Sequence, residues 1–230
     1  MTTRMADRYS ARYRGQDPIH LYPVEFVVRA FLGRYPKLAM RKESYKGSRI
    51  LDLGYGDGRN MPLLRNAGFR IYGVEIAASM NATARPRLAR LGIRAVLKVG
   101  RNDSLPFEDG FFDYVLACHS CYYVAEGTSF RDNLREIARV LKPGGRFIGS
   151  LPMTGSYILE GAAKLRDGHY RIKHDPYGIR EGVIFRAFRD AREIQKAFRP
   201  HFEAVNVGYC DDEFWGVHQR VWTVVCTKRA

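Results

Sequence analysis

Three glycines at alternate positions, Gly54, Gly56 and Gly58, directly follow the apolar run Arg49–Leu53. Such a chain leaves a buried strand, turns tightly and admits a ligand to its backbone with no Cβ in the way. Glu75 stands 21 residues beyond Gly54, at the end of the next apolar run. At that spacing a carboxylate reaches ribose hydroxyls from the neighbouring strand. Two acceptor oxygens suit two adjacent hydroxyls, and the same charge repels a 2′-phosphate. The dinucleotide pattern GxGxxG needs glycine at position 59, where this chain has Arg59. The constellation therefore describes a grip on an adenosine without phosphates.

A second group of reactive side chains lies in Cys118-His119-Ser120 and the following Cys121-Tyr122-Tyr123. His119 follows a predicted strand whose end faces the ligand crevice of a doubly wound sheet. It reads either as a proton acceptor or as a polar histidine stabilising a turn. Tyr122 and Tyr123 suit a cationic centre or an acceptor, through attraction of positive charge to an aromatic face, and suit core packing equally. Cys118-x-x-Cys121 has no second pair at zinc-site spacing, and the four cysteines are too few for a disulfide framework. They read as reduced thiols, and no metal site is expected. His169, His174, Asp211, Asp212, Glu213, Trp215 and His218 fall in irregular connections suited to acceptor binding, though each alone reads as a surface residue.

These side chains need a scaffold, and the pattern supplies an alternation of strands and helices. Strands are predicted at 49–53, 70–75, 93–99, 112–117 and 146–151. Helices are predicted at 59–67, 77–91 (kinked or interrupted at Pro86) and 132–141, the last stopped by Lys142-Pro-Gly-Gly145. The strand at 112–117 is almost wholly apolar, as a strand covered on both faces should be. Alternation of this kind argues for a parallel sheet with helices on both faces. Residues 153–188 lose the pattern and read as an insertion. A helix at 191–198 precedes strands at 202–208 and 221–227, which are close enough to pair antiparallel across the connection 209–220. The expected class is α/β: a Rossmann-like, doubly wound, seven-stranded sheet, mostly parallel with one antiparallel strand near the C-terminus. Residues 1–47 form an N-terminal lid or helical segment and 48–230 the core.

Composition narrows the partners. The chain has 230 residues, 46% hydrophobic and 27% charged, so disorder throughout is excluded. No apolar run approaches the roughly 18 residues of a membrane helix, and the first residues lack the apolar core of a secretory signal. A cytoplasmic location is expected. The formal charge is +14, and residues 1–49 hold 11 basic against 4 acidic side chains. That excess favours a phosphate-bearing partner or simply a solvated face, and no nucleic-acid module accompanies it. The sequence carries no signal for oligomeric state.

Four segments resemble the class I S-adenosylmethionine-dependent methyltransferases, in particular the small-molecule branch of the ubiquinone and menaquinone methylases. They are DLGYGDGRN at 52–60, YGVEI at 72–76, LPFEDGFFDYVLA at 105–117 and LREIARVLKPGGRFIGS at 134–150. The resemblance covers about residues 48–152 and implies S-adenosylmethionine as cofactor. It places the methionine moiety and ribose along the backbone of Gly54, Tyr55 and Gly56. Asp52 would support the loop or the methionine ammonium, with Asn60 helping from the helix start. Glu75 would take the ribose hydroxyls, Ile76 would pack on adenine, and Cys118-His119-Ser120 would border the sulfonium. After the third strand the family usually has an acidic residue, and here Arg101 replaces it. Because arginine accepts no hydrogen bond, Asn102, Asp103 or a main-chain carbonyl must receive the adenine amine. Tyr9, Tyr13 and Tyr22 lie in the N-terminal segment, which in this fold often closes over the cofactor, and Tyr22 is positioned to reach the methionine carboxylate.

The function expected is methyl transfer by direct displacement to a small molecule, with sugars and lipid-linked precursors among the acceptors of such relatives. Methyl transfer to RNA or protein is the alternative suggested by the basic N-terminus, and a nucleotide-binding protein without catalysis is a third. The position after the fourth strand reads Ala117-Cys-His-Ser120, lacking the Asn/Asp-Pro-Pro-aromatic motif of enzymes that methylate exocyclic base amines.

Overall fold

The computed structural model describes residues 2–14, 22–38, 40 and 42–230, with the side chains of 2–4 and 14 left out. Helices α1 (Thr2–Arg14) and α2 (Glu25–Leu32) precede a run of β1 (Arg49–Leu53), α3 (Met61–Asn66), β2 (Arg70–Glu75), α4 (Ala78–Arg90) and β3 (Ala95–Val99). Next come β4 (Phe112–Ala117), β5 (Tyr123–Val124), α5 (Phe130–Val140) and β6 (Leu141–Pro152). The remainder holds β7 (Ala163–Lys164), β8 (His169–Arg171), β9 (Ile184–Arg186), α6 (Ala191–Phe198), β10 (Phe202–Phe214) and β11 (Val217–Lys228).

Seven of these strands form one sheet in the order β10-β11-β6-β4-β1-β2-β3. β1, β2, β3, β4 and β6 pair in parallel, and β11 runs antiparallel to both of its neighbours. The doubly wound class with one reversed strand is therefore the architecture observed. Alternating side chains along the central strands feed two cores, as a period of two requires. Leu51, Leu53, Val115, Ala117 and Phe147 pack with Leu134, Ile137, Ile194 and Phe198 on one face. Ile50, Tyr114, Leu116 and Ile148 pack with Val27, Phe31, Met61, Leu64 and Leu88 on the other. The chain crosses from one side of β1 to the other between β3 and β4, and a crevice opens at the carboxyl ends of the strands there.

Three local expectations change. α4 runs uninterrupted from Ala78 to Arg90 through Pro86. Pro86 and Ala82, whose carbonyl loses its i+4 partner, both lie on the exposed face, where solvent can satisfy the freed oxygen. α5 begins at Phe130 because Ser129 and Asp132 form a reciprocal capping box. The connection expected at 209–220 is instead the outer part of a long hairpin, with β10 and β11 paired from Phe202↔Lys228 to Phe214↔Val217 and turning at Trp215-Gly216. Charged residues on an exposed edge hairpin resemble a loop in sequence yet pair normally.

Residues 153–188 hold a second, antiparallel sheet in the order β5-β9-β8-β7, with β5 contributed from just after β4. It is stitched to the main sheet by the Phe188 N–H donating to the Pro152 carbonyl and the Thr154 N–H to the Phe188 carbonyl, both at 3.0 Å. No helix among the described residues is long and apolar enough to cross a membrane.

Candidate active site

One cavity of about 400 Å³ lies at the carboxyl ends of β1, β2 and β4. That volume is in the range of small-molecule sites. Its floor is the glycine bend after β1, one wall is the small sheet with the start of β11, and α1 lies across it.

The bend is built by steric necessity. Gly54 has φ +67°, and a Cβ there would stand 2.5 Å from the Ser120 Cβ. Gly56 has φ +60°, and its Cβ would stand 2.7 Å from the Tyr13 hydroxyl of α1. Both positions combine left-handed backbone with close approach, which only glycine tolerates. The Tyr55 side chain turns away into the core, donating from its hydroxyl to Asn81 Oδ1 at 2.5 Å, so this residue presents its backbone to the cavity. Gly73 of β2 makes room for that ring: a Cβ there would come within 2.6 Å of it.

Glu75 is buried at the end of β2, with 8% of its surface exposed. Its Oε1 accepts the Gly56 N–H at 2.7 Å and its Oε2 accepts the Ile76 N–H at 3.1 Å. Each oxygen keeps a lone pair beyond these bonds. Burial pushes its pKa up to about 7, against the pull of the two backbone donors. Ile76 lines the cavity beside it. Asp52, on β1 directly behind the bend, is buried, and neither of its oxygens has a hydrogen-bond partner. Burial first, then the charges of Glu75 and Asp57, push Asp52 up to about 8. An orphaned buried carboxylate is costly unless a donor or cation satisfies it.

The segment after β3 separates its three candidates. Arg101 clasps Asp103 in a bidentate ion pair at 2.9 and 2.7 Å, and neither lines the cavity. Asn102 does line it, donating both amide hydrogens to the carbonyls of Ser120 and Tyr123 at 2.9 and 3.0 Å. Its Oδ1 is left as an acceptor with no partner among the described residues. At the other end of the bend, Asn60 lines the cavity and accepts the Val24 N–H at 3.1 Å, tying the entry of α2 to the entry of α3. Tyr22 is 73% exposed and outside the cavity. Tyr9 and Tyr13 of α1 line the cavity instead.

Beyond β4, Cys118, His119 and Ser120 all line the cavity. Burial raises the Cys118 thiol pKa and brings that of Cys121 up to about 12, so both stay protonated at neutral pH. His119 sits in left-handed backbone at φ 56°. Its main-chain N–H donates to Ser150 Oγ at 2.8 Å, and its Nδ1 lies 3.2 Å from the same hydroxyl. Burial, then the charges of Arg180 and Arg59, lower its pKa to about 4, leaving a neutral imidazole. Tyr122 both packs and lines: its ring stacks on Tyr123 at 5.1 Å and meets Phe185 edge-on at 4.9 Å. Burial raises its hydroxyl pKa well above the usual range.

Several cavity residues carried no sequence signal. Tyr157, Tyr177 and Arg180 come from the irregular stretch 153–188, and Gln219 and Arg220 from the start of β11. Arg180 bonds Asp175 through Nε at 3.0 Å and Nη2 at 2.7 Å, and Nη2 also donates to the Tyr157 hydroxyl at 3.1 Å. The one hint in the sequence is the turn Asp175-Pro-Tyr-Gly178, whose purpose is plain only when Asp175 is seen holding Arg180. The Tyr9 and Tyr123 hydroxyls bond at 2.6 Å, joining α1 to β5 over the cavity. His169, His174, Asp212, Glu213 and Trp215 lie outside the cavity. Asp211 is paired with His218 and Arg220, at 2.5 and 2.9 Å.

Residues 51–149 match the family described as a methyltransferase domain. Over that stretch, a little under half of its length, the chain is similar to the class I S-adenosylmethionine-dependent methyltransferases. It is similar to a sterol 4-C-methyltransferase of Caenorhabditis elegans, 31% identical over 135 residues that are 56% of this chain and 40% of that protein. It is also similar to a demethylmenaquinone methyltransferase of Clavibacter sepedonicus, 35% identical over 102 residues, 44% of this chain and 40% of that one. The chain thus spans about two-fifths of the length of these curated relatives. A crystal structure of an S-adenosylmethionine-dependent methyltransferase from Methanosarcina mazei shares its fold, with TM-score 0.67, 19% identity, 85% of this chain and 98% of that chain covered. The family is one of enzymes, and its cofactor is S-adenosylmethionine.

The residues present fit that cofactor. The buried Glu75 makes this end of the cavity suited to ribose hydroxyls, while the orphaned Asp52 carboxylate lies behind the bend and outside the cavity lining, where its charge would favour a cationic ligand. Asn102 Oδ1 is an unengaged acceptor on the cavity of the kind an adenine amine would need.

Proposed function

We propose that the chain methylates a small-molecule acceptor, with residues 48–230 as the catalytic core and, in the N-terminal segment 1–47, α1 as a lid and α2 packed on the core; residues 1, 15–21, 39 and 41 of that segment lie outside the described residues. The supporting observation is the glycine bend locked to Glu75 by the Gly56 N–H, beside a cavity lined by tyrosines. In this reading Gly54, Tyr55 and Gly56 receive the methionine and ribose through their backbone, and Glu75 takes the ribose hydroxyls. Ile76 and Asn102 meet the adenine, Asn60 borders the methionine end, and Asp52 sets a negative charge behind the bend. Bound there, S-adenosylmethionine supplies an electrophilic methyl group that an acceptor lone pair takes in one direct displacement.

The protein's own part is alignment and exclusion of water. Tyr9 and Tyr13 bring α1 down on the cavity, and the Tyr9–Tyr123 bond holds it there. Cys118 and His119 border the reacting end, and Tyr122 offers an aromatic wall to a cationic centre. The cavity is bordered by α1 and the 153–188 segment, and its volume is that of a small-molecule site, which favours a small acceptor over a polymer.

The reading is tested by incubating the protein with methyl-labelled S-adenosylmethionine and cell extract separated into small-molecule, RNA and protein fractions. Label is expected in the small-molecule fraction. Label confined to RNA or protein would overturn the acceptor class and favour the alternative raised by the basic N-terminus.

A further inference from the structure

Resting on the reading above, the geometry points to an acceptor that is small, planar and anionic at oxygen, a carboxylate or an ionised phenol or enol, recognised by Arg180. The loop 175–180 is organised to present this one guanidinium. Asp175 is fully buried and accepts five hydrogen bonds: from the main-chain N–H groups of Tyr177, Ile179 and Arg180, and from Arg180 Nε and Nη2. Those donors hold its carboxyl down to about 2, against the effect of burial, so the pair is ionised at any working pH. With Nε and both Nη2 hydrogens committed, Nη1 is the edge left over. It has no partner among the described residues, and Arg180 lines the cavity. A guanidinium fixed in this way suits a planar oxyanion.

Two neighbours add donors. The Tyr157 oxygen accepts from Arg180 Nη2, which leaves its own O–H to donate. The Ser150 hydroxyl is buried and already accepts the His119 main-chain N–H, so its hydrogen has one acceptor within reach, His119 Nδ1. That assigns the hydrogen of the neutral imidazole to Nε2, and His119 offers the cavity a donor. Arg12 of α1 and Arg180 both lie over the Tyr177 ring, at 4.9 and 5.5 Å from its centroid. Arg59 and Arg220, the other cations on the cavity, are paired with Asp57 and Asp211. The cavity is therefore polarised: carboxylates and an amide oxygen at the cofactor end, N–H and O–H donors with aromatic faces at the other. An acceptor that arrives ionised also needs no strong base, in keeping with a histidine of lowered pKa whose Nδ1 lone pair is taken by Ser150 and which presents Nε2–H.

The experiment is calorimetry on the full chain saturated with S-adenosylhomocysteine. The titrants are two matched pairs: 4-hydroxybenzoate with 4-hydroxybenzamide, and 2,4-dinitrophenolate with 2,4-dinitroanisole. At least one anion is expected to bind about tenfold or more tightly than its neutral partner, and the pair that shows it separates carboxylate from phenolate. The preference should fall below about threefold in Arg180→Gln and weaken in Tyr157→Phe, which leaves the Asp175–Arg180 pair intact, while S-adenosylhomocysteine affinity is retained in both. Equal binding of anion and neutral partner in both pairs, no binding of any of the four, or a preference that survives Arg180→Gln, would overturn the proposal. Those results with normal S-adenosylhomocysteine binding leave the methyltransferase reading standing. Failure of the wild type to bind S-adenosylhomocysteine removes that reading instead.

Discussion

The Gly56 N–H points at Glu75 Oε1 across 2.7 Å, so the carboxylate at the end of the second strand is fastened to the glycine bend after the first. The two motifs that are 19 residues apart in sequence are one rigid unit in space. Its outward-facing lone pairs are what a ribose would meet. Replacing Glu75 by alanine removes both the charged acceptor and the clamp on the loop. S-adenosylhomocysteine affinity should fall at least tenfold, ~1.4 kcal/mol. Glu75→Gln keeps an oxygen for one of the two backbone donors and should lose less. Titration of the three proteins checks the order, and an unchanged dissociation constant in Glu75→Ala would refute the ribose contact.

Burial sets a pH dependence through Asp52 and Glu75, pushed up to about 8 and about 7. In the unfolded chain both lose their protons near pH 4. Between about pH 4 and 8 the ligand-free folded state therefore holds more protons than the unfolded one, and stability falls as pH rises. The two carboxylates interact and titrate as a pair. Asp52→Asn should flatten that decline and melt above the wild type at pH 8. Binding of cationic S-adenosylmethionine favours the ionised carboxylates, so its affinity should rise with pH over the same window with release of protons. Calorimetry in buffers of different ionisation enthalpy measures the release. Parallel melting curves for the two proteins across this range would contradict the assignment to Asp52.

Glycine at 54 is required for two separable reasons, and Gly47 provides the control. Both have positive φ, +67° and +80°, but a Cβ at Gly47 meets nothing within 4 Å, whereas one at Gly54 meets Ser120. Gly47→Ala should cost only the backbone strain, about 1–2 kcal/mol. Gly54→Ala should cost about 1–3 kcal/mol more from overpacking and should also weaken S-adenosylhomocysteine binding. Denaturant unfolding of both variants tests this, and equal losses would remove the steric argument.

The glycine bend, Glu75 and the strands that carry them were legible because the signal is local: turn chemistry next to an apolar strand at fixed spacing. The central strands were legible for the same reason, since burial on both faces leaves Tyr114, Val115, Leu116 and Ala117 a continuous run and breaks Ile50, Leu51 and Leu53 only at Asp52. Arg180 was hidden, because its role depends on Asp175, Tyr157 and the fold of an irregular segment with no periodicity. The outer halves of β10 and β11 were hidden by Asp211, Asp212 and Glu213, which an exposed hairpin tolerates. Tyr22 drew attention by standing beside Pro23, yet Tyr9 and Tyr13 face the cavity because α1 folds back along α4, where Ser10 Oγ bonds Ser79 Oγ at 2.9 Å.

That placement of α1 gives a test of the lid. Tyr9→Phe removes the hydroxyl bonded to Tyr123. The net loss is about 1 kcal/mol, so α1 should detach several times more often. Limited proteolysis within residues 1–21 should accelerate by a similar factor, and saturating S-adenosylhomocysteine should slow it in the wild type. Cleavage rates that are equal with and without ligand would remove the lid.

His119 has a pKa lowered to about 4, so transfer rates should show no inflection from it between pH 6 and 8. His119→Ala should slow single-turnover transfer while leaving S-adenosylhomocysteine affinity within about twofold. Equal single-turnover rates would reduce His119 to a loop residue.

The central claim is that the glycine bend and Glu75 hold S-adenosylmethionine. The most direct measurement is calorimetric titration of the purified chain with S-adenosylhomocysteine, with NAD titrated in parallel. One saturable site for S-adenosylhomocysteine and no heat from NAD is the predicted result. No binding of S-adenosylhomocysteine at millimolar concentration would contradict it.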